Sequence, residues 1–261
     1  MSQLDIFRLD DRVAFVAGGG GAIGSAIAVG LAGAGARVAV TGRNQEALDE
    51  AVARVEAAGG EAIGVAGDMT ERSEAEAVVA KVVDRFGRLD IAVNAIGGGA
   101  GKVLFDAQDY PDDAWDWIID LNVTSTLLPT QYAVKAMIQG GRGGKVLNLS
   151  SVRGMLGINA GYSAYVAAKG AINSLTRQWA TEWAVHRINV NAISPTFVDT
   201  PQVAMLLDDP DFKAGLLARI PLNRVGGTDD LVGAAIFFCS DASSFITGQI
   251  LGIDGGLTAT Q

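Results

Sequence analysis

The sequence predicts an α/β fold, a doubly wound parallel sheet with helices on both faces. Three observations predict it: short apolar runs alternate with longer segments of helical period, a glycine turn joins the first apolar run to a helix, and no Pro- or Ser-rich linker divides the chain. Right-handed crossovers place helices on both faces of such a sheet, and ligands bind at the carboxyl ends of its strands. The chain, residues 1–261, is therefore expected to form one three-layer domain.

The first strand is predicted at 12–17, where a short apolar run is followed by a glycine turn and then by a helical segment. Later strands are predicted at 37–41, 61–66, 89–94, 145–149, 188–193 and 249–253. Helices are predicted at 44–58, 71–86, 112–138, 163–185 and 228–239. Pro129 lies inside the longest of these helices and is expected to kink or divide it.

The composition excludes several classes of function. With 49% hydrophobic and 19% charged residues the chain can bury a large core, and its net charge of -9 disfavours a nucleic-acid partner. No apolar segment reaches transmembrane length, and the amino terminus has no basic region followed by an apolar stretch, so we expect a cytoplasmic protein without a membrane partner. A single cysteine, Cys239, excludes an internal disulfide, and with His186 as the only histidine no metal site is expected.

The glycine turn predicts a site for a dinucleotide. Backbone N–H groups and the positive end of a helix dipole face an anion there, and glycines let a pyrophosphate approach the main chain closely. A flexible linker is the alternative, which the apolar flanks disfavour. The run fits two spacings, Gly19-x-Gly21-x-x-Gly24 and Gly18-x-x-x-Ala22-x-Gly24. The cofactor-binding residues predicted in this turn are Gly18, Gly20, Gly21 and Ile23.

Tyr165 and Lys169 are predicted to act together as an acid. They lie four residues apart in an alanine-rich segment of helical character, so both side chains leave the same face of the helix. A nearby ammonium favours the phenolate and lowers the pKa of a tyrosine toward neutral pH, where its hydroxyl can donate or accept a proton. A surface pair without a catalytic role is the alternative interpretation.

Further motifs, in the same order along the chain, give a family resemblance. They are Asp68 after the third strand, Asn94-Ala-Ile-Gly97, Asn122, Asn148-Leu-Ser-Ser151, Pro195-x-x-Val198-x-Thr200 and Asp254-Gly-Gly256. Together with the glycine turn and the tyrosine and lysine pair, they make the chain resemble the short-chain dehydrogenases/reductases of the classical type over nearly its whole length. The resemblance implies a Rossmann-like sheet of about seven strands, redox chemistry at a CH–OH group with a nicotinamide cofactor, and a homotetramer.

The resemblance also implies catalytic roles. Tyr165 would exchange a proton with the substrate oxygen, Ser151 would hold that oxygen by a hydrogen bond, and Lys169 would lower the tyrosine pKa and bind the nicotinamide ribose. Asn122 would support the lysine through a chain of waters. Ser151 is preferred to Ser150 because the residues after it align best with the strand end, although Ser150 stays open. A turn serine and a helix-cap asparagine are the alternatives for Ser151 and Asn122.

Arg43, at the predicted end of the second strand, indicates NADP as the cofactor. An arginine there binds the 2′-phosphate of NADP, whereas an acidic residue would accept hydrogen bonds from the ribose of NAD. NAD stays an alternative, because Arg43 could instead be a solvated loop charge. Asp68 is predicted to contact the adenine amino group, with a helix N-cap as its alternative role. By the same resemblance, further cofactor contacts are expected from Met69, Asn94, Val198 and Thr200, besides Tyr165 and Lys169.

Two cationic residues and a variable segment are predicted to receive the substrate. Residues 198–225 are expected to form a mobile substrate lid, whose sequence indicates no specific group. Arg153, two residues after the candidate serine, and Lys102, after a glycine-rich loop, are predicted to bind an acidic group of the substrate. The alternative is that Arg153 pairs with a carboxylate of the protein and that Lys102 is solvated.

The function predicted from these residues is that of an NADP(H)-dependent oxidoreductase. It would interconvert a secondary alcohol and a ketone on a small polar or acidic molecule, such as a sugar acid or hydroxy acid. A 3-oxoacyl-thioester reductase is the alternative within the same class, with Arg142 and Arg187 as candidate contacts to an acidic carrier protein. A cofactor-binding regulatory protein without turnover is the alternative from another class.

Overall fold

Seven parallel strands form one sheet in the computed structural model, which describes residues 3–158 and 160–259. The strands are β1 (Val13–Ala17), β2 (Arg37–Gly42), β3 (Ala62–Ala66), β4 (Ile91–Asn94), β5 (Gly144–Leu149), β6 (Ile188–Pro195) and β7 (Ile250–Ile253). Their order across the sheet is β3-β2-β1-β4-β5-β6-β7, and every neighbouring pair is parallel. The predicted Rossmann-like α/β fold is confirmed.

Helices connect the strands. The α-helices of the described residues are α1 (Ala22–Gly33), α2 (Gln45–Ala57), α3 (Arg72–Phe86), α4 (Asp112–Ile119), α5 (Ser125–Gly140), α6 (Ser163–Glu182), α7 (Ala204–Leu207), α8 (Pro210–Leu217) and α9 (Asp229–Cys239). Short 3-10 helices span Gln3–Phe7, Ala100–Lys102, Ala107–Asp109, Val152–Gly154, Ala184–His186, Asp241–Ser243 and Leu257–Ala259. Within the described ranges, no helix is long and apolar enough to cross a membrane.

Two apolar clusters, one on each face of the sheet, explain why the central strands are buried throughout. Helices α1, α2 and α9 cover one face, and α3, α5 and α6 cover the other. Alternate side chains of β1 divide between the faces: Ala14 and Val16 belong to the first cluster, and Val13, Phe15 and Ala17 belong to the second. A strand covered on both faces needs a continuous apolar run, which is the pattern that the sequence shows.

The order of the strands creates a crevice beside β1. The chain runs outward from β1 to β3, and β4 then pairs with the other side of β1. Such a reversal leaves a crevice at the carboxyl ends of the two central strands, where doubly wound folds bind ligands. The register aligns Ala17 of β1 with Asn94 of β4, and Asn94 with Asn148 of β5. The predicted polar residues therefore lie at this edge of the sheet.

The predicted helix 112–138 is divided, but not at Pro129. It separates into α4 and α5 with a π-helical turn, Asp120–Thr124, between them, and Pro129 lies inside α5. A π turn of this kind often marks a functional residue within a helix. Here the turn contains Asn122, a predicted site residue, whose side chain bonds the main chain of another loop.

The segment 198–225, called the lid segment below, is an excursion whose two ends meet. Val198 forms a parallel bridge with Gly226 just beyond the other end. The excursion contains α7 and α8, and Ile220 near its end packs in one apolar cluster with Val152, which follows β5. The lid segment is therefore anchored at its base and lies against the carboxyl end of β5.

Candidate active site

The glycine turn at the end of β1 leads directly into α1. The helix begins at Ala22 with Gly21 as its N-cap. A Cβ atom on Gly24 would lie 2.2 Å from the carbonyl oxygen of Gly18, so α1 can pack on the turn only with glycine at position 24. Gly24 belongs to both predicted spacings, but Gly18 alone among the four glycines of the turn has a positive φ, 81°, which favours the spacing Gly18-x-x-x-Ala22-x-Gly24. The first N–H groups of α1 have no partners within the helix and lie at the crevice, so the turn fits the pyrophosphate of a dinucleotide.

Arg43 and Asp68 lie together at the carboxyl ends of β2 and β3. The nearest guanidinium nitrogen and carboxylate oxygen are 3.8 Å apart, and the Arg43 side chain is 75% exposed. Asp68 accepts hydrogen bonds from the main-chain N–H and the hydroxyl of Thr70, at 2.9 and 2.7 Å. Burial acts to raise the pKa of Asp68, but these hydrogen bonds and the Arg43 charge hold it below its usual value. Since α3 begins at Arg72, Asp68 is not its N-cap. The Met69 side chain is buried, which leaves its main chain for a ligand.

Asn94 ends β4 and joins three elements through its side chain. Its Nδ2 donates to the hydroxyl of Thr130 and to Oδ1 of Asn148, both at 2.8 Å. The residue is only 1% exposed. The side chain thus fixes the ends of β4 and β5 relative to α5, and only the main chain of Asn94 could meet a cofactor.

Asn122 holds the loop that follows β4. Its Oδ1 accepts a hydrogen bond from the main-chain N–H of Gly98 at 3.0 Å, and its Nδ2 donates to the carbonyls of Gly98 and Ile118 at 3.1 and 2.9 Å. A Cβ atom on Gly97 would lie 2.7 Å from Oδ1 of Asn122 and 3.0 Å from Nζ of Lys169. The two predicted residues therefore lie close together, with only a glycine of the loop between them.

Ser150 and Ser151 point in different directions at the end of β5. Ser150 donates from Oγ to Oδ1 of Asn173 at 2.7 Å, in the interior. The Ser151 side chain lies near enough to Tyr165 to act on its pKa, and its Oγ accepts a hydrogen bond from the main-chain N–H of Arg153 at 3.2 Å. Successive side chains of an extended chain leave on opposite sides, so only one of the two serines can face the tyrosine. The structure brings Ser151 to Tyr165.

Tyr165 lies in the first turn of α6, and Lys169 follows one turn later. The Nζ atom of Lys169 lies 5.6 Å from the centre of the Tyr165 ring and donates to the carbonyl of Leu149 at 3.0 Å. Burial of Lys169 lowers its pKa to about 8. Burial also raises the pKa of Tyr165, an effect that the hydrogen bond with Ser151 partly opposes.

The direction of the Tyr165 pKa is a correction to the sequence-based expectation. A lysine one turn away was predicted to lower it, and that prediction is wrong for the protein without its cofactor. The Lys169 ammonium donates to the Leu149 carbonyl, so it does not offset the cost of burying a phenolate. At neutral pH the Tyr165 hydroxyl therefore keeps its proton, which is the form that a proton donor needs.

The predicted substrate-binding residues lie on different segments. Arg153, in the short 3-10 helix after β5, is 6% exposed and donates from Nη1 to the carbonyl of Gly157 at 3.0 Å. In the part of the chain that the structure describes, no carboxylate forms a salt bridge with it. Lys102 is exposed in the loop after β4, and no contact joins it to Arg153 among the described residues.

Val198 and Thr200 lie where the chain leaves β6 for the lid segment. Val198 is buried and bridges to Gly226, and the carbonyl of Thr200 accepts a hydrogen bond from the N–H of Val203. Both residues, which were predicted to contact the cofactor, therefore lie at the same carboxyl edge of the sheet as the glycine turn, but next to β6 rather than β1.

One charged residue near the predicted substrate-binding residues was not predicted from the sequence. Arg219 lies just after α8, in the turn that closes the lid segment, and it is exposed. Its positive charge acts on Arg153, because Ile220 packs in the same cluster as Val152. The two arginines are far apart in sequence, and no local pattern links them.

Other conspicuous residues lie away from the crevice. Burial raises the pKa of Cys239 in α9 to about 12, so it is a core thiol. His186 and Arg187 precede β6, and Arg142 precedes β5, at the opposite end of the sheet from Tyr165. The arginines are therefore not at the mouth of the crevice, where a carrier protein would deliver a thioester. Within the described residues, no group of three His, Cys, Asp or Glu is placed to hold a metal ion.

Comparisons with known proteins agree with this geometry. A family model described as enoyl-(acyl carrier protein) reductase matches residues 18–258. Gluconate 5-dehydrogenase of Gluconobacter oxydans is 36% identical over 260 residues, covering 100% of both chains. A 3-oxoacyl-(acyl-carrier-protein) reductase of Thermotoga maritima is 36% identical over 250 residues, which is 96% of this chain and 99% of that protein. The crystal structure of a gluconate 5-dehydrogenase from Burkholderia cenocepacia in complex with NADP and tartrate superposes with a TM-score of 0.91 at 34% identity, covering 100% of both chains.

The fold, the order of the motifs and these similarities together define a family of nicotinamide-dependent oxidoreductases. The chain belongs to the short-chain dehydrogenases/reductases. It is accordingly an enzyme that acts on CH–OH groups with a nicotinamide cofactor.

Proposed function

We propose that this enzyme interconverts a secondary alcohol and a ketone on a small sugar acid or hydroxy acid, with NADP(H) as its cofactor. The observation that carries the proposal is the placement of Ser151 close enough to act on the Tyr165 hydroxyl at the crevice, with Lys169 one helical turn further. Two adjacent hydroxyls can hold a carbonyl oxygen and exchange its proton, which is what this chemistry needs besides a hydride. The similarity to a gluconate 5-dehydrogenase over the full length supports the sugar acid as substrate.

Four side chains divide the catalytic work in this proposal. Tyr165 exchanges a proton with the substrate oxygen, and Ser151 donates a hydrogen bond to the same oxygen. Lys169, one helical turn after Tyr165, binds the nicotinamide ribose. Asn122 keeps the loop 97–98 near Lys169 through its two hydrogen bonds with the main chain of Gly98. NADP(H) would supply or accept the hydride at the carbon that carries the oxygen.

The crevice residues fit the cofactor. Main-chain N–H groups of the turn that contains Gly18, Gly20, Gly21 and Ile23 would bind the pyrophosphate at the start of α1. Asp68 and the main chain of Met69 would meet the adenine. The main chain of Asn94 would lie behind the nicotinamide half, and Val198 and Thr200 would bind the carboxamide side. The turn supports this placement, since a Cβ atom on Gly18 or Gly24 would clash with the main chain, and no backbone hydrogen bond occupies the N–H groups of Gly20 and Ile23 in the described residues.

Arg43 would select NADP by binding the 2′-phosphate. Its guanidinium is exposed beside the start of α2, and only a long contact with Asp68 occupies it. Arg43→Ala is therefore expected to weaken binding of NADPH by about tenfold or more and to leave NADH unchanged, because charge-assisted hydrogen bonds to a phosphate are lost. Fluorescence titration with both cofactors measures the change. Arg54→Ala, a charge removal on the exposed side of the same helix, is the control; equal affinity of the wild type for NADPH and NADH would contradict the assignment.

A substrate panel tests the function. The protein would be incubated with NADP⁺ and aldonic acids, and with NADPH and keto acids, acetoacetyl thioesters, aldoses and aromatic ketones. We expect the fastest turnover with a sugar acid or hydroxy acid. Faster reduction of acetoacetyl thioesters would favour the 3-oxoacyl reductase, the second candidate, which rests on the 36% identity with such an enzyme. Cofactor binding without turnover of any compound would indicate the regulatory protein.

The proposal includes one domain with a substrate lid, a homotetramer and a cytoplasmic location. The lid segment supports the single domain with a lid, because the two ends of the segment meet and α7 and α8 project between them.

The exposed aromatic rings of Trp115 and Trp117 on α4 support assembly into a homotetramer, since such groups seldom stay solvated. A molecular mass measured by light scattering tests the tetramer. A chain with one buried thiol needs no oxidising compartment, and cell fractionation tests the location.

A further inference from the structure

Arg153 is a buried guanidinium without an anion. It is 6% exposed, and its one side-chain hydrogen bond goes to the neutral carbonyl of Gly157. A guanidinium carries five N–H donors in a planar fork, so most of its donors are unused in the described part of the chain. Burial lowers the pKa of Arg153, and the groups that act on its charge are Arg219, Tyr162 and Tyr165, none of them a carboxylate.

Arg219 brings a second positive charge to the same place. Val152, the neighbour of Arg153, belongs to one apolar cluster with Leu216 and Ile220, which lie on either side of Arg219 in the lid segment. This packing holds the turn after α8 against the 3-10 helix of Arg153. Among the described residues Arg219 forms no salt bridge. Among the described residues, no carboxylate acts on the charge of Arg153, whereas the charge of Arg219 acts on it from the lid segment.

Such an arrangement is unfavourable unless an anion enters it. Burying an unpaired charge costs several kcal/mol in general, and a like charge nearby adds to the cost. The cost is removed when a carboxylate accepts hydrogen bonds from a guanidinium fork. The place lies near Tyr165, because the Tyr162 and Tyr165 side chains both act on the charge of the Arg153 guanidinium. An anion bound beside Arg153 would therefore belong to the substrate.

We propose that Arg153 and Arg219 together bind the carboxylate of the substrate, Arg153 from the fixed end of β5 and Arg219 from the lid segment. The inference rests on the proposed function, since it assumes that the substrate lies against Ser151 and Tyr165. It replaces Lys102 with Arg219 as the second cation. Arg153 then sets specificity for acids over neutral alcohols, and Arg219 couples acid binding to the position of the lid segment.

The first experiment measures binding and does not depend on turnover. Protein saturated with NADP⁺ is titrated by calorimetry with tartrate, a small hydroxy acid, and with tartramide, its uncharged analogue. The wild type is expected to bind tartrate at least about tenfold more tightly, as charge-assisted hydrogen bonds imply. Arg153→Met should abolish this preference, and Arg219→Met should reduce it severalfold. Lys213→Met, which removes a charge from the same lid segment at a separate surface, and Lys102→Met should leave it unchanged.

The second experiment compares kcat/KM of the variants on an aldonic acid and on its primary amide. Arg153→Met and Arg219→Met should lower the value for the acid at least about tenfold more than for the amide. Arg153→Lys keeps the positive charge but lacks the planar set of N–H donors, so its loss of kcat/KM for the acid should be intermediate. This variant also tests the inference if Arg153→Met does not fold. Circular dichroism and NADPH affinity report folding.

Several outcomes would overturn the inference: a wild type that binds tartrate no better than tartramide, a preference that survives in Arg153→Met, a preference that is undiminished in Arg219→Met, or a loss produced by Lys102→Met instead. Absence of turnover with every acid and amide, together with the expected tartrate preference, would count against the proposed function and leave the acid-binding residues supported. The two failures are thus distinguishable.

Discussion

Tyr165→Phe is expected to lower kcat by at least about a hundredfold while fold and cofactor affinity stay unchanged. The ring packs as before, but the hydroxyl that meets Ser151 and would exchange the proton is gone. Steady-state kinetics with the substrate found in the panel, in both directions, measure the loss. Tyr162→Phe is the matched control, because Tyr162 precedes α6 by one residue and lies near Tyr165 without a role in proton exchange.

The pH dependence should separate the two directions of the reaction. Burial raises the pKa of Tyr165, so the protonated hydroxyl prevails at neutral pH and is ready to protonate a ketone during reduction. Alcohol oxidation needs the phenolate, and its rate should therefore rise with pH through the alkaline range. The rise should be absent in Tyr165→Phe. Near-normal turnover of this variant, or the same pH profile in both enzymes, would refute the role of Tyr165.

Lys169→Met is expected to reduce turnover by at least about a hundredfold and yet to stabilise the cofactor-free protein at pH 7. Burial lowers the pKa of Lys169 from 10.5 to about 8, so at pH 7 the folded protein carries a charge that the interior disfavours. The shift corresponds to a cost on the order of 3 kcal/mol, and loss of the hydrogen bond to Leu149 would offset about 1 kcal/mol of the gain.

The direction of the Lys169 pKa shift also predicts how the stability of the protein depends on pH. Between the folded pKa near 8 and the unfolded pKa near 10.5, the unfolded chain binds more protons, so wild-type stability should rise with pH across this window. Below the window both states are protonated and the full cost is present. The free energy of unfolding of Lys169→Met, measured by denaturant titration, should lack this rise.

Lys145→Met is the matched control for this prediction. Lys145 is also buried, and burial lowers its pKa, but it lies at the start of β5 and donates to Asn189 at 2.8 Å. Its replacement should change stability and leave kcat unchanged. A Lys169→Met protein that kept turnover, or that was less stable than the wild type at pH 7, would contradict the account given for Lys169.

Much of the fold could be predicted from the sequence because the signals are local. A strand covered by helices on both faces must be apolar throughout, and a helix that starts on a pyrophosphate-sized turn must begin with glycines. The run before Gly18 and the tight contact at Gly24 follow these rules. The pairing of Tyr165 with Lys169 follows equally from helical spacing, which places residues four apart on one face.

The division of the helix at Asn122 could not be read in this way. Pro129 was the visible helix breaker, but it lies inside α5, whereas the π turn contains Asn122, whose side chain exchanges two hydrogen bonds with the main chain of Gly98. That partner is distant in sequence and lies in a loop whose path only the folded chain defines.

By itself, the sequence determined the parallel sheet, the dinucleotide turn and the tyrosine and lysine of the site, because each depends on neighbours within one turn or one strand. Only the tertiary structure decided which serine meets Tyr165, in which direction its pKa moves, and that Arg219 approaches Arg153. The direction of a side chain at a strand end depends on the local twist, and a pKa depends on every group packed around it. The charge of Arg219 acts on Arg153 only because Ile220 of the lid segment packs with Val152 after β5.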